Sequence, residues 1–461
     1  MRRSFTAISL ALITFLSAIG AVRSDETVDR AAERAERRAR VRSAIADIHG
    51  GRGALVVRSP AAVRYSGDVD YAPFRADSNV LYLTGIDLPR AALLVAVADI
   101  EGIGREALFL PPPEAGEGLW IARRITVAEA SRESGVPEAS IRPLAELPAF
   151  LQKTVPVARP HHGVSAPAPL YFDGGPPSPA GEPLSPGYGF LLAHLGSRAF
   201  HLELLAPDPL VTRFRQVKSA REVAHLRRAI AITCESLGEL FRWVEPGQVE
   251  AQAAAQLEGT FRLQGARGWA FPSIVASGPN TCILHYDRYE RRFQAGDLLL
   301  LDVGAEHEGY AADVSRTIPI SGRFTARQRQ IHDIVRRAQD AAFLVIRPGA
   351  RHSDVDRAAR EVVAQGLIDL GLIREASDAG RFLPHGVSHG LGLDVHDPLP
   401  DATLRAGMVI TVEPGIYIPD EALGVRIEDD VLVTETGCEI LSGHLPRAAD
   451  AIERWMRSAS L

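Results

Sequence analysis

The sequence predicts an α/β (α+β) protein of two domains, the second built from two similar halves. Three observations carry this. The chain has 461 residues, 46% hydrophobic and 23% charged, enough for two separate cores. Before about residue 210, short aliphatic runs of strand type alternate with helical stretches. Beyond it, a pattern of two helices followed by strands occurs twice.

Residues 1–24 read as an export signal. Arg2 and Arg3 supply a basic start, an apolar run extends to Val22, and Ala21 or Ser24 offers a small residue for cleavage. The run is shorter than the ~20 residues a membrane span needs. Arg2-Arg3-Ser4-Phe5 also resembles a twin-arginine signal. An exported protein, periplasmic or secreted, is therefore expected, with no stable membrane insertion after signal removal.

Residues 25–210 form the expected first domain. Ala, Arg and Glu dominate 25–47, which predicts a helix, and strand-like runs follow at 54–57 and 91–97. Residues 159–189 are rich in Pro and Gly and read as a loop exposing His161-His162.

The second domain, 211–461, begins with a new pattern. Ser219-Ala-Arg-Glu222 and Thr325-Ala-Arg-Gln328 are capping boxes, whose side chains satisfy the free N–H groups of a helix start. Val223, Leu226, Ile230, Leu237 and Phe241 share one face of the first helix; Ile331, Ile334, Val335 and Ala342 share one face of the second. Each leads through a Pro-Gly turn, Pro246-Gly247 or Pro348-Gly349, into a further helix ending near Gly265 or Gly366. Strand-rich stretches close the halves at 298–320 and 408–436.

The balance of 51 basic against 57 acidic residues argues against nucleic-acid binding, which needs a basic face. Lys153 and Lys218 are the only lysines, so chemistry needing a catalytic Lys has almost no candidates. Cys234, Cys282 and Cys438 allow at most one disulfide and form no Cys-x-x-Cys pair. Any metal must be held by His and carboxylates.

Four segments offer such ligands. Asp302 follows four leucines and Asp313 returns on a partner strand, in a hairpin turning at 306–309. Two carboxylates on one hairpin face repel unless a cation lies between them. His385, His389 and His396 fall within twelve residues, interleaved with Gly. Glu413 ends an apolar strand before a Pro-Gly turn, and a charge there needs a partner. Arg426 and Glu428 stand two apart, on one face of a core-like strand. Asp302, Asp313, His389, Glu413 and Glu428 make an oxygen-rich set suited to Mn²⁺, with Zn²⁺ or Co²⁺ as alternatives. Four carboxylates carry about −4, which two divalent ions neutralise, and such a pair activates a shared water.

These residues resemble those of the pita-bread metallopeptidases (peptidase family M24): methionine aminopeptidase, prolidase and aminopeptidase P. The likeness covers about 212–440, and includes Ile283-Leu-His285-Tyr286, Thr411-Val-Glu413-Pro-Gly and Arg426-Ile-Glu428-Asp-Asp. Glu36-Arg37-Arg38, the run 54–68 and Phe74-Arg75…Asp77-Ser-Asn…Tyr82-Leu-Thr-Gly85 resemble the amino-terminal domain of aminopeptidase P, the Xaa-Pro aminopeptidases. The resemblance implies a pita-bread (creatinase/aminopeptidase) fold with pseudo-two-fold halves, preceded by a smaller α/β domain.

It also implies roles. Asp302 and Asp313 would bind one metal, Asp313, His389 and Glu413 the other, and Glu428 would bridge both. Glu413 would handle the proton of a hydroxide held between the ions. His285 and His396 would contact substrate and stabilise the oxyanion, and His385 would line the Pro-side pocket. Arg426 and Tyr417 would orient the ligands. The substrates would be peptides with Pro at the second position, and the assembly a homodimer or homotetramer.

Creatinase shares the fold without the metal ligands, all five of which are present here. Gly390 departs from the family, which usually has a bulky aromatic after the ligand His. The stretch after His396-Asp397 and the loop 418–424 are short. These departures border the cleft and bear on specificity. Two rival readings remain open: a prolidase restricted to Xaa-Pro dipeptides, and a non-enzymatic binding protein that keeps the fold.

Overall fold

The computed structural model describes residues 29–62, 64–66, 69–70, 74–113, 124–154, 168–172, 186–195 and 202–458. The expected export signal and His161-His162 lie outside the described residues. The chain divides into two compact units, Met1–Val211 and Thr212–Leu461.

In the first unit, helix α1 (29–48) leads into strand β1 (Ala54–Arg58). A small hairpin of β2 (Arg64–Ser66) and β3 (Val69–Asp70) follows, then helix α2 (Ser78–Thr84). The Asp77 side chain caps α2 by accepting from the Asn79 and Val80 N–H groups, and Gly85 ends it at φ 69°. Strands β4 (Ala92–Ile100) and β5 (Gly104–Leu110), helix α3 (Val127–Ser134), strand β6 (Ile141–Pro143) and helix α4 (Leu147–Thr154) come next. Strand β7 (Ala168–Phe172), helix α5 (Pro186–Leu195) and strand β8 (Leu202–Leu205) complete a six-stranded mixed sheet, ordered β6-β5-β4-β1-β7-β8. Val56, Leu94, Phe109, Leu170 and Phe172 belong to its core. The Arg37-Arg38 pair ties α1 to α2: Arg37 donates to Tyr82 O and the fully buried Arg38 to Leu83 O. Glu106 receives the other arm of Arg38, so the buried charge is matched.

Helix α6 (Asp208–Arg215) spans the division between the units. Helix α7 (Ala220–Trp243) starts at the Ser219–Glu222 capping box, and helix α8 (Glu250–Leu263) follows the first Pro-Gly turn. Strands β9 (Gly268–Trp269), β10 (Ile274–Ser277), β11 (Leu298–Val303), β12 (Ala305–His307), β13 (Tyr310–Ala311) and β14 (Val314–Pro319) complete the first half. The second half repeats the plan. Helix α9 (Ala326–Val345) starts at the Thr325–Gln328 box, and helix α10 (His352–Asp369) follows the second Pro-Gly turn. Strands β15 (Val409–Val412), β16 (Gly415–Ile418), β17 (Leu423–Arg426), β18 (Asp429–Val433) and β19 (Cys438–Ile440) follow, and helix α11 (Ala449–Arg457) is last.

Three details differ from the sequence reading. The 298–320 hairpin is split: β11 pairs with β10 and β14, while β12 pairs with β9 and β13. The break falls at Gly304, where a Cβ would lie 1.7 Å from the Ala312 carbonyl oxygen, so only glycine lets the backbones cross. Arg426 and Glu428 do not share a strand, because β17 ends at Arg426 and β18 begins after Glu428. Helix α10 continues past Gly366 to Asp369: Gly366 is a contact point, where a Cβ would come within 2.7 Å of Ile334 Cγ2 on α9. The three cysteines carry no disulfide. Among the described residues, no helix is long and apolar enough to cross a membrane.

Candidate metal centre

Each predicted ligand stands where a buried run meets an opening. Leu298 to Leu301 of β11 are buried, and Asp302 comes next, opposite Ile274 on one side and Ser315 on the other. Asp313 immediately precedes β14, and its N–H donates to Asp430 Oδ2 at 3.1 Å. His389 lies on an irregular segment running beside β15: Thr411 N donates to His389 O at 2.9 Å and Glu413 N to Val387 O at 2.8 Å. This pairing sets His389 beside Glu413, which directly follows β15. Glu428 stands in the break between β17 and β18, its N–H donating to Ser315 O at 3.0 Å.

The structure brings all the predicted residues together. Asp302, Asp313, His389, Glu413 and Glu428 line one cavity of about 930 Å³ with His285, His385, His396 and Arg426. His389 Nε2 lies 3.5 Å from Asp313 Oδ2, 3.4 Å from Glu413 Oε1 and 4.0 Å from Glu428 Oε1. The imidazoles of His389 and His396 meet edge to face, 4.3 Å between centroids. Arg426 Nη2 pairs with Asp302 Oδ2 at 2.6 Å, and Nη1 donates to the Tyr417 hydroxyl at 2.7 Å. His385 Nε2 is 2.9 Å from that hydroxyl, and its Nδ1 is 3.7 Å from Glu413 Oε2.

Crowded, buried acids resist ionisation. Burial, then the neighbouring Glu428 and Asp302, pushes Asp313 well above the usual carboxylate range. Burial, then Glu413 and Asp302, does the same to Glu428. Burial lifts Glu413 to about 8, a rise that Arg426 opposes and Asp302 reinforces. Burial also lowers His385 and His389 to about 4, so both imidazoles are neutral and offer lone pairs at neutral pH.

Other residues at the site gave weaker signals in the sequence. Ser315 Oγ accepts from Arg426 Nε at 3.1 Å and donates to Glu428 Oε2 at 2.8 Å, linking the two. Both partners lie more than a hundred residues along the chain, so the sequence around Ser315 carries no sign of this link. Glu250, in the first turn of α8, is fully buried. Its Oε1 accepts from Ser277 N, Ser277 Oγ and Asn280 Nδ2, and its Oε2 from Tyr286 OH and Arg291 N. The loop presenting His285 is thereby held to α8. Nothing in the sequence separates Glu250 from any acidic residue in a first helical turn.

Comparisons with known proteins agree with this geometry. Residues 224–435 match the model of metallopeptidase family M24, and residues 34–161 match the aminopeptidase P N-terminal domain. An Xaa-Pro aminopeptidase of Escherichia coli is 33% identical, over 89% of this chain and 94% of its own length. Xaa-Pro aminopeptidase 1 of Streptomyces coelicolor is 34% identical, over 94% of this chain and 88% of its own. The chain belongs to the aminopeptidase P branch of metallopeptidase family M24. The solved structure of zinc-substituted E. coli aminopeptidase P with product superposes with a TM-score of 0.79 at 30% identity. It covers 92% of this chain and 98% of that one. Aminopeptidase PepP of Pseudomonas aeruginosa gives 0.78 at 30% identity, covering 92% and 98%. The fold is thus the pita-bread fold of the aminopeptidase P family, and the chain is a metal-dependent aminopeptidase.

The donors themselves test the fit to divalent cations. Asp302 Oδ1, Asp313 Oδ1 and Glu428 Oε1 are buried and accept no hydrogen bond. Buried carboxylate oxygens without donors are costly unless a cation completes them. One ligand atom each from Asp313, His389 and Glu428 lies within 4.8 Å of the others. The aminopeptidase P site therefore fits hard divalent ions.

Proposed function

We propose that the chain is an exported aminopeptidase that hydrolyses the bond between an amino-terminal residue and a following proline, using two Mn²⁺ ions. The observation that carries this reading is the set of partnerless buried carboxylate oxygens beside four histidines in one cavity. The names of the E. coli and Streptomyces relatives supply the substrate class. Asp302 and Asp313 would hold one ion; Asp313, His389 and Glu413 would hold the other, with Glu428 shared. Bound ions supply Lewis acidity and lower the pKa of water.

The protein's own groups do the rest. Glu413 takes the proton of the attacking water at a carboxylate oxygen and delivers it to the departing nitrogen. That delivery is needed because the prolyl nitrogen must gain a proton to leave as a secondary amine. His285 and His396 donate to the carbonyl oxygen as charge develops. Arg426 fixes Asp302 and, through Tyr417, His385 on the proline side. Residues 1–24 direct export, and the enzyme works as a homodimer or homotetramer.

The test is an assay with Mn²⁺ on an X-Pro dipeptide beside an X-Pro-Y tripeptide. Cleavage of both, abolished by chelator and restored better by Mn²⁺ than by Mg²⁺, is expected. Cleavage of the dipeptide alone would make the protein a prolidase, and activity after complete metal removal would refute the mechanism.

A further inference from the structure

His396 reaches the cavity from a short turn that also presents Asp394 and Val395 to it. The next residue, Asp397, is buried away from solvent with its side chain 1% exposed. Its Oδ1 pairs with Arg215 Nη2 at 2.5 Å, and its Oδ2 with Lys218 Nζ at 3.1 Å. Arg215 and Lys218 are themselves 4% and 1% exposed. The same Arg215 Nη2 reaches Asp394 Oδ2 at 2.5 Å, and Asp394 N donates to Asp397 Oδ1 at 3.4 Å. Two cations from one segment thus grip both ends of the turn that carries His396.

That turn is also clamped through its backbone. Asp397 N donates to Gly390 O at 2.9 Å, next to the ligand His389. A Cβ at Gly390 would fall 2.2 Å from Asp397 O, and one at Gly392 would fall 2.7 Å from the Asp397 carboxylate. The gripping segment is rigid in turn. Lys218 N donates to Gly407 O at 2.8 Å, Val217 bridges Met408, and Ser219 begins α7.

A buried ion cluster of this kind adds little net stability over apolar packing. What it supplies is a fixed direction for the chain. We propose that Arg215, Lys218 and Asp397 are positioning residues that hold His396 at the angle from which it meets the substrate carbonyl. The inference rests on the proposed catalytic role of His396. Lys218, one of only two lysines in the chain, thereby acquires a part in the reaction without touching substrate.

The experiment uses the full-length Mn²⁺-loaded enzyme and an X-Pro-Y tripeptide. Asp397→Asn and Lys218→Met should each lower kcat about 10- to 100-fold, with KM within about threefold and bound metal per chain unchanged. Lys218→Arg should recover most of the loss, because it restores the charge. In a His396→Ala background, Asp397→Asn should cost less than about threefold more, since the residue it positions is gone. A purely structural role would instead give an additive loss in that background, and would overturn the proposal. So would wild-type kcat in Asp397→Asn or in Lys218→Met alongside an impaired His396→Ala. Wild-type kcat in His396→Ala itself would remove the catalytic reading of that histidine and the proposal with it. If Asp397→Asn fails to fold, Lys218→Met carries the same comparison.

Discussion

Protons and metal ions compete for the same carboxylates, so loading of the site should depend steeply on pH. Glu413 is lifted from 4.5 to about 8 without metal, while His389 at about 4 stays neutral and releases nothing. A protonated carboxylate cannot ligate, so each proton displaced makes affinity change about tenfold per pH unit below the pKa. From pH 8 down to pH 6, Glu413 alone weakens binding by about 50-fold, or about 2.3 kcal/mol. Protons held by Asp313 and Glu428, also pushed upward, steepen the slope. The sign for stability follows from the same shift. A carboxyl whose folded pKa is raised stabilises the metal-free protein below its unfolded value of 4.5. That contribution is lost as pH rises through about 8. Thermal unfolding of chelator-stripped protein from about pH 5 to pH 9, with and without excess Mn²⁺, checks both. The metal-free Tm should fall as pH rises, and the gain on adding Mn²⁺ should grow. Calorimetry in buffers of different ionisation enthalpy should detect about one or more protons released per chain at pH 7. An Mn²⁺-induced gain as large at pH 6 as at pH 8, with no proton release, would refute the reasoning.

Further outcomes can be measured directly. Glu413→Ala and His389→Ala should each lower kcat/KM by about 10³-fold or more while circular dichroism stays native. His396→Ala should lower kcat rather than raise KM, and a wild-type kcat would exclude its oxyanion role. Arg426→Met leaves the largely buried Asp302 without its ion pair, and should destabilise metal-free protein by about 3–5 kcal/mol in urea unfolding. Gly304→Ala forces a methyl against the Ala312 carbonyl, and should lose at least about 2 kcal/mol in the same measurement.

Much of the second unit was legible because its signals are local. The capping boxes at Ser219 and Thr325 place the starts of α7 and α9 to the residue. Asp302, Glu413 and Glu428 declared themselves as charges at the edges of apolar runs, where solvation alone cannot account for them. What stayed hidden depends on packing between distant segments. The sheet break at Gly304 needs the approach of Ala312, and the passage of α10 beyond Gly366 needs Ile334 on a neighbouring helix. Glu250 and Ser315 act through partners far along the chain, so their own neighbourhoods carry no mark of it. The first unit was legible as a helix within 25–47 and strands at 54–57 and 91–97. Its sheet order depends on pairings between segments far apart in sequence.

Strand β14 sets a limit on how this chain can drift in length. Ser315 and Thr317 turn toward Glu428 and Arg426, whereas Arg316, between them, turns the opposite way to Asp429 and the carbonyls of Leu445 and Pro446. Because a strand alternates at every residue, adding or deleting one position there would exchange the two sides. A guanidinium would then stand where small hydroxyls now serve the site, and Asp429 would lose the nearer of its two cations, keeping Arg447 at 3.6 Å. Natural variants should therefore keep the spacing from Asp313 to Thr317 unchanged.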